Sequence, residues 1–355
     1  MHPDLLALGY SPFFAEQMAQ LPDHLRPARV TGQHRREWDV VGVDLARRAV
    51  LAGKRWAGDD VAFDEAQPTI GDWVAVRFPP DDGAPIIEHV LERRTVLARG
   101  AVARAGVRQL VVSNVDRVAI VAAFAAPGVQ QAVAIRSLNP RRIERYLTAT
   151  RKGGAEPLVV LHKADLVADA PARAAELAER LHGVPVVVTD AMSKNGLDAL
   201  AAYLEPGQTL GFVGLSGVGK STLVNQLVGR DAQRTSAERQ RDARGRHTTT
   251  HRELFVTPGG WLLIDTPGMR EFAVGDSGDA DLSAFEDIVE LAADCRFRDC
   301  RHAGEPGCAV EIAVREGRLA TDRLDSYRSL ADELRVADGR ALRRGGPGQR
   351  KGKRY

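Results

Sequence analysis

One segment of the 355-residue chain has the residue types and spacing of a phosphate-binding loop. The stretch GLSGVGKS, residues 214–221, fits the pattern G-x-x-x-x-G-K-[ST] at every fixed position. Its glycines let backbone N–H groups turn inward around phosphate oxygens, and the amino end of the next helix adds its dipole. Lys220 would reach the β- and γ-phosphates, Ser221 would bind Mg²⁺, and the Thr222 hydroxyl would lie near the α-phosphate. The predicted site comprises Gly214, Leu215, Ser216, Gly217, Val218, Gly219, Lys220, Ser221 and Thr222.

Two further segments, downstream of this loop, could complete a Mg²⁺–triphosphate site. The sequence DTPG, residues 265–268, follows an apolar strand, so Asp265 could hold Mg²⁺ through water and the Gly268 N–H could contact the γ-phosphate. The polar segment 232–252 ends in RHTTTH, and one of its threonines, Thr249 or Thr250, could ligate Mg²⁺. The alternative interpretation of this segment is a solvated loop without ligands.

A base-reading site is predicted on the other side of the phosphate loop in the sequence. The apolar strand 158–161 ends in HKAD, residues 162–165, which resembles the N-K-x-D element of GTPases. There the aspartate accepts hydrogen bonds from the N1–H and the N2 amine of guanine. Adenine lacks this pair of donors, so the carboxylate discriminates strongly between guanine and adenine. A solvated strand end is the alternative. Residues 187–191, VVTDA, resemble the S-A element whose backbone contacts guanine O6. The predicted base site comprises His162, Lys163, Ala164, Asp165, Asp190 and Ala191.

The three cysteines of the chain form a candidate metal site together with one histidine. Cys295, Cys300, His302 and Cys308 have the spacing C-x₄-C-x-H-x₅-C. Three thiolates and one imidazole are a usual tetrahedral set for structural Zn²⁺, and such a site contributes to folding. Unliganded buried cysteines are the alternative, but an odd number within fourteen positions does not suggest a disulfide framework. We therefore predict one structural Zn²⁺ per chain and no catalysis at the metal.

The elements that must position these residues fall into three regions. Up to about residue 117, short β-forming runs separated by turn residues predict a small β-barrel, which could bind oligonucleotides or simply present a solvated basic face. Strands and helices then alternate, which favours a parallel sheet covered by helices. From about residue 279 the chain is helical and polar. The final stretch, RALRRGGPGQRKGKRY, has no acidic residue and is expected to be disordered.

The overall composition excludes several classes of protein. With 44% hydrophobic and 27% charged residues and a net charge of +2, the chain is an ordinary globular sequence and not a disordered, collagen-like or coiled-coil chain. No apolar run approaches the roughly 20 residues that a membrane-spanning helix needs. The first residues lack the pattern of a secretory signal. We therefore expect a cytoplasmic protein that does not contact a membrane.

The order of the motifs indicates a circular permutation. In an ordinary GTPase the base-reading elements follow D-x-x-G, whereas here they precede the phosphate loop, to which residues 205–208 would connect them. With this order, the chain that leaves Gly268 runs straight into the cysteine-bearing region.

The sequence resembles the RsgA-like family, the circularly permuted GTPases of small ribosomal subunit biogenesis. Besides the motifs above, the resemblance rests on SNVD at 113–116, NPRRIER at 139–145, HTTT at 247–250 and DTPGMREF at 265–272. It implies an N-terminal barrel of the OB type, a central α/β P-loop GTPase domain and a C-terminal α-helical zinc-binding domain. We accordingly expect an extension at 1–25, the barrel at 26–112, the GTPase domain at 113–275, the zinc domain at 276–339 and a basic disordered tail at 340–355.

The resemblance also implies an activity and partners. It implies a monomeric GTPase that binds the small ribosomal subunit and its rRNA, hydrolyses GTP to GDP and phosphate when the subunit stimulates it, and assists late subunit maturation. Two other functions stay open from the residues alone. One is a zinc-containing RNA-binding module that uses nucleotide structurally, and the other is a P-loop ATPase.

Three positions depart from the usual GTPase pattern. His162 stands where N-K-x-D has an asparagine that braces the phosphate loop, so lower nucleotide affinity is expected while Asp165 still selects guanine. Asp190 replaces the serine of S-A, where the backbone does the reading. Met269 follows D-x-x-G, where many GTPases have a glutamine that positions water. Slow intrinsic hydrolysis is therefore expected, with Lys220 and His247 as the candidate catalytic residues; the alternative interpretation of His247 is an ordinary loop histidine.

Overall fold

The computed structural model describes residues 1–34, 36–52, 67–80, 83–100, 108–125, 137–190, 195–215, 217–228, 253–265, 285–297, 299–328 and 331–332. The chain forms two compact units, Met1–Gly275 and Asp276–Tyr355. Among the helices of the described ranges, none combines the length and the apolar character that crossing a membrane requires.

Two short helices open the first unit. Helix α1 (Pro3–Ala7) and helix α2 (Pro12–Met18) each begin with a proline, whose fixed φ suits the first helical turn. Phe14 of α2 is buried, and its ring centroid lies 5.8 Å from that of Trp73 in the adjoining barrel. The predicted N-terminal extension therefore packs on the barrel through aromatic side chains.

Five strands close into the predicted barrel. They are β1 (Arg26–Gln33), β2 (Glu37–Gly42), β3 (Leu45–Leu51), β4 (Trp73–Arg77) and β5 (Ile86–Val90). They pair in the order β1-β2-β3-β5-β4, and β4 pairs again with β1. Only the β3–β5 pair is parallel. A five-stranded Greek-key barrel of this kind is the OB-fold, so the predicted barrel is confirmed.

Alternating side chains fill the barrel. In β2, exposure alternates along the strand, so that Trp38 and Val40 point inward while their neighbours face outward. The Trp38 indole N–H donates to the Pro68 carbonyl at 2.8 Å, which satisfies the polar atom of this buried side chain. The apolar interior is formed by Ala28, Val30, Trp38, Val40, Leu45, Ala49, Val74, Val76 and Ile87.

A separate hairpin follows the barrel. Strands β6 (Val96–Gly100) and β7 (Arg108–Ser113) form a two-stranded antiparallel sheet. A fully buried carboxylate, Asp72, ties this hairpin to the barrel, because it accepts from the Ser113 hydroxyl and pairs with Arg93 at 2.8 Å. Buried charges persist only when they are paired and hydrogen-bonded in this way.

The central region contains the expected parallel sheet. Its strands are β8 (Arg117–Ala123), β9 (Glu156–His162), β10 (Val186–Thr189), β11 (Thr209–Val213), β12 (Glu253–Val256) and β13 (Leu262–Asp265). The spatial order is β10-β9-β8-β11-β13-β12, in which only the β12–β13 pair is antiparallel. Strands that are distant in sequence, β8 and β11, are therefore neighbours at the centre of the sheet.

Helices cover this sheet. They are α3 (Pro140–Lys152), α4 (Ala170–Arg180), α5 (Leu197–Ala201) and α6 (Lys220–Val228). Residues of α5 and α6 share one apolar cluster with alternate residues of β8, such as Ala119 and Val121. The intervening residues of β8, including Val118 and Ile120, are equally buried, as expected for a strand that is covered on both faces.

The parallel sheet and the barrel are joined at one edge. Gly32 of β1 pairs with Glu253 of β12, so the pairing continues through eleven strands. The barrel and the sheet therefore belong to the same compact unit.

The second unit is helical. It contains α7 (Glu286–Ala293), α8 (Ala309–Arg315) and a further helical stretch at 321–328, and the four predicted zinc ligands lie between α7 and α8. The guanidinium of Arg323 pairs with Asp287 at 2.7 Å and lies 5.0 Å from the Phe285 ring centroid. Together with the closed barrel and the parallel sheet, this unit confirms the predicted fold class.

Candidate nucleotide and zinc sites

The predicted phosphate loop lies between β11 and α6, as a strand–loop–helix arrangement requires. Gly214 has φ +139°, and a side chain there would collide with the Val121 carbonyl of the neighbouring strand β8. Gly217 and Gly219 also have positive φ, a region that glycine enters without steric cost. The backbone path of the loop is thus possible because glycines stand at these positions.

Lys220 points back into this loop. Its side chain is buried, and Nζ donates to the carbonyl oxygens of Gly214 at 2.7 Å and Leu215 at 2.6 Å. The hydroxyl-bearing residues Ser221 and Thr222 follow in the exposed first turn of α6. The loop therefore presents one ammonium and two hydroxyls at the amino end of a helix, where anions are stabilised.

His162, at the carboxyl end of β9, packs against the phosphate loop. A Cβ atom at Gly219 would lie 2.6 Å from Nε2 of the His162 ring, so only glycine leaves room for the imidazole. The ring Nδ1 lies 3.0 Å from the Thr189 hydroxyl oxygen, and the side chain is only 3% exposed. Desolvation lowers the pKa of His162 below its usual 6.5, and the nearby Lys163 charge lowers it further, against the opposing effect of Asp190 and Asp165. The neutral imidazole is therefore favoured.

Lys163 provides a second contact between the base-reading segment and the phosphate loop. Its Nζ donates to the Gly217 carbonyl at 3.3 Å. Lys163 has a left-handed backbone with φ 62°, after which Ala164–Leu166 form a short 3₁₀ turn that carries the exposed Asp165. The residues predicted to read the base and those predicted to bind phosphate thus belong to neighbouring loops at one edge of the sheet.

The second base-reading segment lies at the end of β10, next to β9. Asp190 is mostly buried, and its backbone N–H donates to the Asn195 carbonyl at 3.0 Å. The strand register places Thr189 opposite His162. Thr189 was not among the predicted site residues; its only sequence signal is its position immediately before Asp190.

Several predicted site residues lie outside the described part of the chain. These are Ser216, Ala191, His247, Thr249 and Gly268, together with the side chain of Asp265. The backbone of Asp265 ends β13, and this strand pairs with β11 directly beside the phosphate loop. Their roles remain predictions.

The four predicted metal ligands converge in the second unit. One ligand atom from each of Cys295, Cys300, His302 and Cys308 lies within 4.8 Å of the others. Cys295 Sγ lies 3.9 Å from Cys308 Sγ, and His302 Nδ1 lies 3.6 Å from Cys295 Sγ and 3.4 Å from Cys308 Sγ. Zn–S bonds of about 2.3 Å and Zn–N bonds of about 2.0 Å fit inside such a cluster. The cluster is therefore compatible with a structural Zn²⁺.

The chemistry of the thiols also fits a cation. Desolvation, followed by the neighbouring thiols of Cys308 and Cys295, raises the pKa of Cys300 to about 12. Three thiolates cannot share so small a volume unless a cation compensates their charge, and Zn²⁺ displaces thiol protons when it binds. A metal ion would thus let all three cysteines ionise.

Comparison with known proteins agrees with these features. The model of the RsgA GTPase family matches residues 90–275. A curated relative from Methanosarcina acetivorans, named small ribosomal subunit biogenesis GTPase RsgA, is 46% identical over 269 residues, which are 76% of this chain and 70% of the relative. A protein of the same name from Opitutus terrae is 40% identical over 343 residues, covering 94% of this chain and 90% of the relative.

A solved structure shares the fold. The crystal structure of YjeQ from Thermotoga maritima superposes with a TM-score of 0.62 at 26% identity, covering 87% of this chain and 98% of that one. The family match spans more than half of the chain, and the relatives extend over both compact units. The chain therefore belongs to the RsgA GTPase family.

Proposed function

We propose that this protein is a GTPase that assists the maturation of the small ribosomal subunit, hydrolysing GTP to GDP and phosphate. The family assignment supports the activity, and the names of the curated relatives support the process. The observation that carries the proposal is the contact between the two loops, in which the His162 ring packs on Gly219 and Lys163 Nζ donates to the Gly217 carbonyl. One nucleotide could therefore meet Asp165 at its base and Lys220 at its phosphates.

Each residue has a distinct role in this proposal. Asp165, which is exposed at the loop, would accept the two N–H donors of guanine, and adenine would leave it unpaired. Lys220 would leave the Gly214 and Leu215 carbonyls and donate to the β- and γ-phosphates, where it stabilises the charge that develops as water attacks the γ-phosphorus. Bound Mg²⁺, held by Ser221 and, through water, by Asp265, would neutralise phosphate charge.

The test of activity is GTP turnover by the full chain, with and without purified small ribosomal subunits. Slow basal turnover is expected, because position 269 holds a methionine, whose thioether cannot orient water. Turnover should rise at least about tenfold with subunits, if the subunit provides the group that orients the attacking water. Lys220→Ala should abolish both rates. Lys152→Ala, at an exposed lysine in the last turn of α3, is the control and should leave them unchanged. Equal turnover with and without subunits would contradict the ribosomal part of the proposal.

The test of base recognition is competition between GDP and ADP for the full chain. GDP is expected to bind at least about 30-fold more tightly than ADP, since each hydrogen bond to the Asp165 carboxylate that adenine leaves unmade costs about 1–3 kcal/mol and guanine makes two. Asp165→Asn should erase this preference, whereas Asp169→Asn, an exposed aspartate four residues away, should preserve it. A preference for ADP would favour the P-loop ATPase instead.

We also propose that exposed basic residues of both units contact rRNA. In the barrel, Arg47 and Arg48 are exposed on β3, and OB-folds bind nucleic acid through the surface formed by their second and third strands. In the second unit, Phe297 is 41% exposed, and the Arg296 guanidinium lies 5.5 Å from its ring centroid, an arrangement on which an unpaired base could stack. Binding should weaken steeply with salt, since contacts to phosphate release counterions.

A further inference from the structure

A cavity of about 310 Å³ lies in the first unit, away from the phosphate loop. Its walls come from the N-terminal helices, the barrel, the segment before β8 and the segment before β11. Because β8 and β11 are parallel, the cavity adjoins their amino ends, whereas the predicted nucleotide site adjoins their carboxyl ends. None of the residues proposed to bind nucleotide, Mg²⁺ or zinc lines this cavity.

One deeply buried wall residue, Arg29, is a cation that forms no ion pair with a carboxylate of the described residues. Arg29 is 1% exposed and donates to three neutral acceptors, namely the Leu8 carbonyl, the Asn114 carbonyl at 3.0 Å and the Thr209 hydroxyl at 2.9 Å. Its Nε has no hydrogen-bond partner within the described residues. Desolvation lowers the pKa of Arg29 to about 10. A desolvated guanidinium that has only neutral acceptors reduces the stability of the fold, and a nearby anion would offset part of this loss.

Further donors border the same space. Within the described parts of the chain, the hydroxyl of Tyr10 and the side-chain amide nitrogen of Gln208 have no hydrogen-bond partner. Burial raises the pKa of Tyr10 above its usual 10, so the hydroxyl remains a donor at neutral pH. Arg94 also lines the cavity and is 40% exposed at its side chain, where it pairs with Asp116.

The charges and the walls together define a class of ligand. Two guanidinium groups, Arg29 and Arg94, face one carboxylate, Asp116, which leaves one positive charge uncompensated. Phe14 and Trp73 add apolar surface beside these groups. A cavity of this size falls at the lower end of the range for small-molecule sites, about 300–1,000 Å³.

We propose that this cavity binds a small organic anion, whose phosphoryl or carboxylate group contacts Arg94, Tyr10 and the buried Arg29 while its apolar body lies against Phe14 and Trp73. The ligand would contact the N-terminal helices, the barrel and the segments that precede β8 and β11, and would therefore stabilise the packing of these elements. The proposal does not depend on GTP hydrolysis.

The experiment uses the full chain saturated with Mg²⁺ and GDP, so that added anions cannot occupy the α- and β-phosphate positions, and the cavity variants below separate the cavity from the γ-phosphate position. Inorganic phosphate, acetate and phenyl phosphate are titrated by calorimetry and by thermal unfolding, with ionic strength held constant by sodium chloride. We expect saturable binding with a dissociation constant of about 1 mM or tighter for at least one of them. Phenyl phosphate should bind at least threefold more tightly than inorganic phosphate, because its ring meets the aromatic wall. Comparing the affinities of acetate and inorganic phosphate shows whether the cavity prefers a carboxylate or a phosphoryl group.

Variants assign the binding to the cavity. Arg94→Gln should weaken binding about tenfold or more, and Tyr10→Phe about threefold, as expected for a charged and a neutral hydrogen bond. Arg173→Gln, an exposed arginine of α4, is the matched control and should bind as the parent does. GDP affinity reports that each variant is folded. Equal stabilisation by chloride, the absence of saturation, or unchanged affinity in both cavity variants would overturn the proposal.

Discussion

The imidazole of His162 occupies the position at which the motif N-K-x-D has an asparagine amide. The ring packs on Gly219 and is oriented by the Thr189 hydroxyl. The sequence predicts that replacing the asparagine lowers nucleotide affinity. The geometry instead suggests that the ring fills the space beside the loop, so that the histidine can support the phosphate loop in place of the amide.

Substitutions at His162 should show whether GDP binding needs the imidazole itself or only a side chain that supports the phosphate loop. His162→Ala leaves a space beside Gly219 and is expected to weaken GDP binding about tenfold, which corresponds to about 1.4 kcal/mol. His162→Asn, which restores a polar side chain there, should bind within about threefold of the parent. Rates of GDP dissociation measure this directly, and His89→Ala in β5 is the control. An unchanged rate in His162→Ala would show that the ring does not support the loop.

The same residue makes stability depend on pH. Because burial lowers the pKa of His162 in the native chain, the unfolded chain binds a proton that the native chain excludes once the pH falls below the usual 6.5. Stability should therefore fall as the pH decreases from 7.5 to 5.5, by at most about 1.4 kcal/mol per pH unit for this group. Urea unfolding at the two pH values measures the effect. The decrease should be smaller in His162→Asn, and an equal decrease in both proteins would refute this assignment.

At the scale of elements, the strand–loop–helix at Gly214 depends on close contact with the next strand. A side chain at Gly214 would meet the backbone of Val121, which cannot rotate away, and φ is +139°. Gly183 also has a positive φ, +82°, but nothing lies within 4 Å of a Cβ placed there. Substitution at Gly183 would therefore introduce backbone strain alone, whereas substitution at Gly214 would add a collision with the Val121 backbone.

Alanine substitutions at both glycines test this distinction. Gly183→Ala should cost only the left-handed strain, about 1–2 kcal/mol. Gly214→Ala adds a collision with β8 and should cost about 3 kcal/mol or more, and it should also weaken GDP binding at least tenfold. Denaturant unfolding and GDP titration measure the two effects. Similar losses of stability in the two variants would mean that the contact with Val121 is not limiting.

The elements that the sequence predicted best are those with an unambiguous apolar pattern. The apolar patterns predict a helix at 220–228 and a strand at 253–256, and both ranges agree with α6 and β12. They also predict strands at 118–125, 158–161 and 210–213, which differ from β8, β9 and β11 by one or two residues at their ends. Strand β1 was not predicted individually, because it contains Pro27, Gly32 and the buried Arg29, which mask its alternation. Helices α1 and α2 have five and seven residues, too few to show a helical period.

The candidate site shows the same limit. Motif spacing predicts the phosphate loop, the base-reading segment and the zinc ligands, because each is local in sequence. The contact between His162 and Thr189 depends on the parallel register of β9 and β10, and the cavity at Arg29 depends on four separate segments. Such contacts follow from tertiary packing and leave no local pattern to detect.

At the scale of the whole molecule, the permuted order places the zinc-binding unit directly after the last strand of the GTPase sheet. Strand β13 ends at Asp265, and the second unit begins at Asp276. Each unit has its own buried side chains, among them Phe285, Ile288 and Val310 in the second. The two units are therefore expected to unfold separately.

Removal of zinc should unfold the second unit alone. Helices α7 and α8 have eight and seven residues, lengths at which isolated helices are marginal in water, so the metal that joins the segments between them supplies much of their stability. A zinc-selective chelator in excess Mg²⁺ should remove one calorimetric transition and expose residues beyond Asp276 to protease, while GDP affinity stays within about twofold. Cys308→Ser should reproduce these effects because it removes one ligand, and Ser326→Ala, elsewhere in the unit, should not. If chelation abolished GDP binding as well, the nucleotide site would depend on the second unit and the two could not be independent.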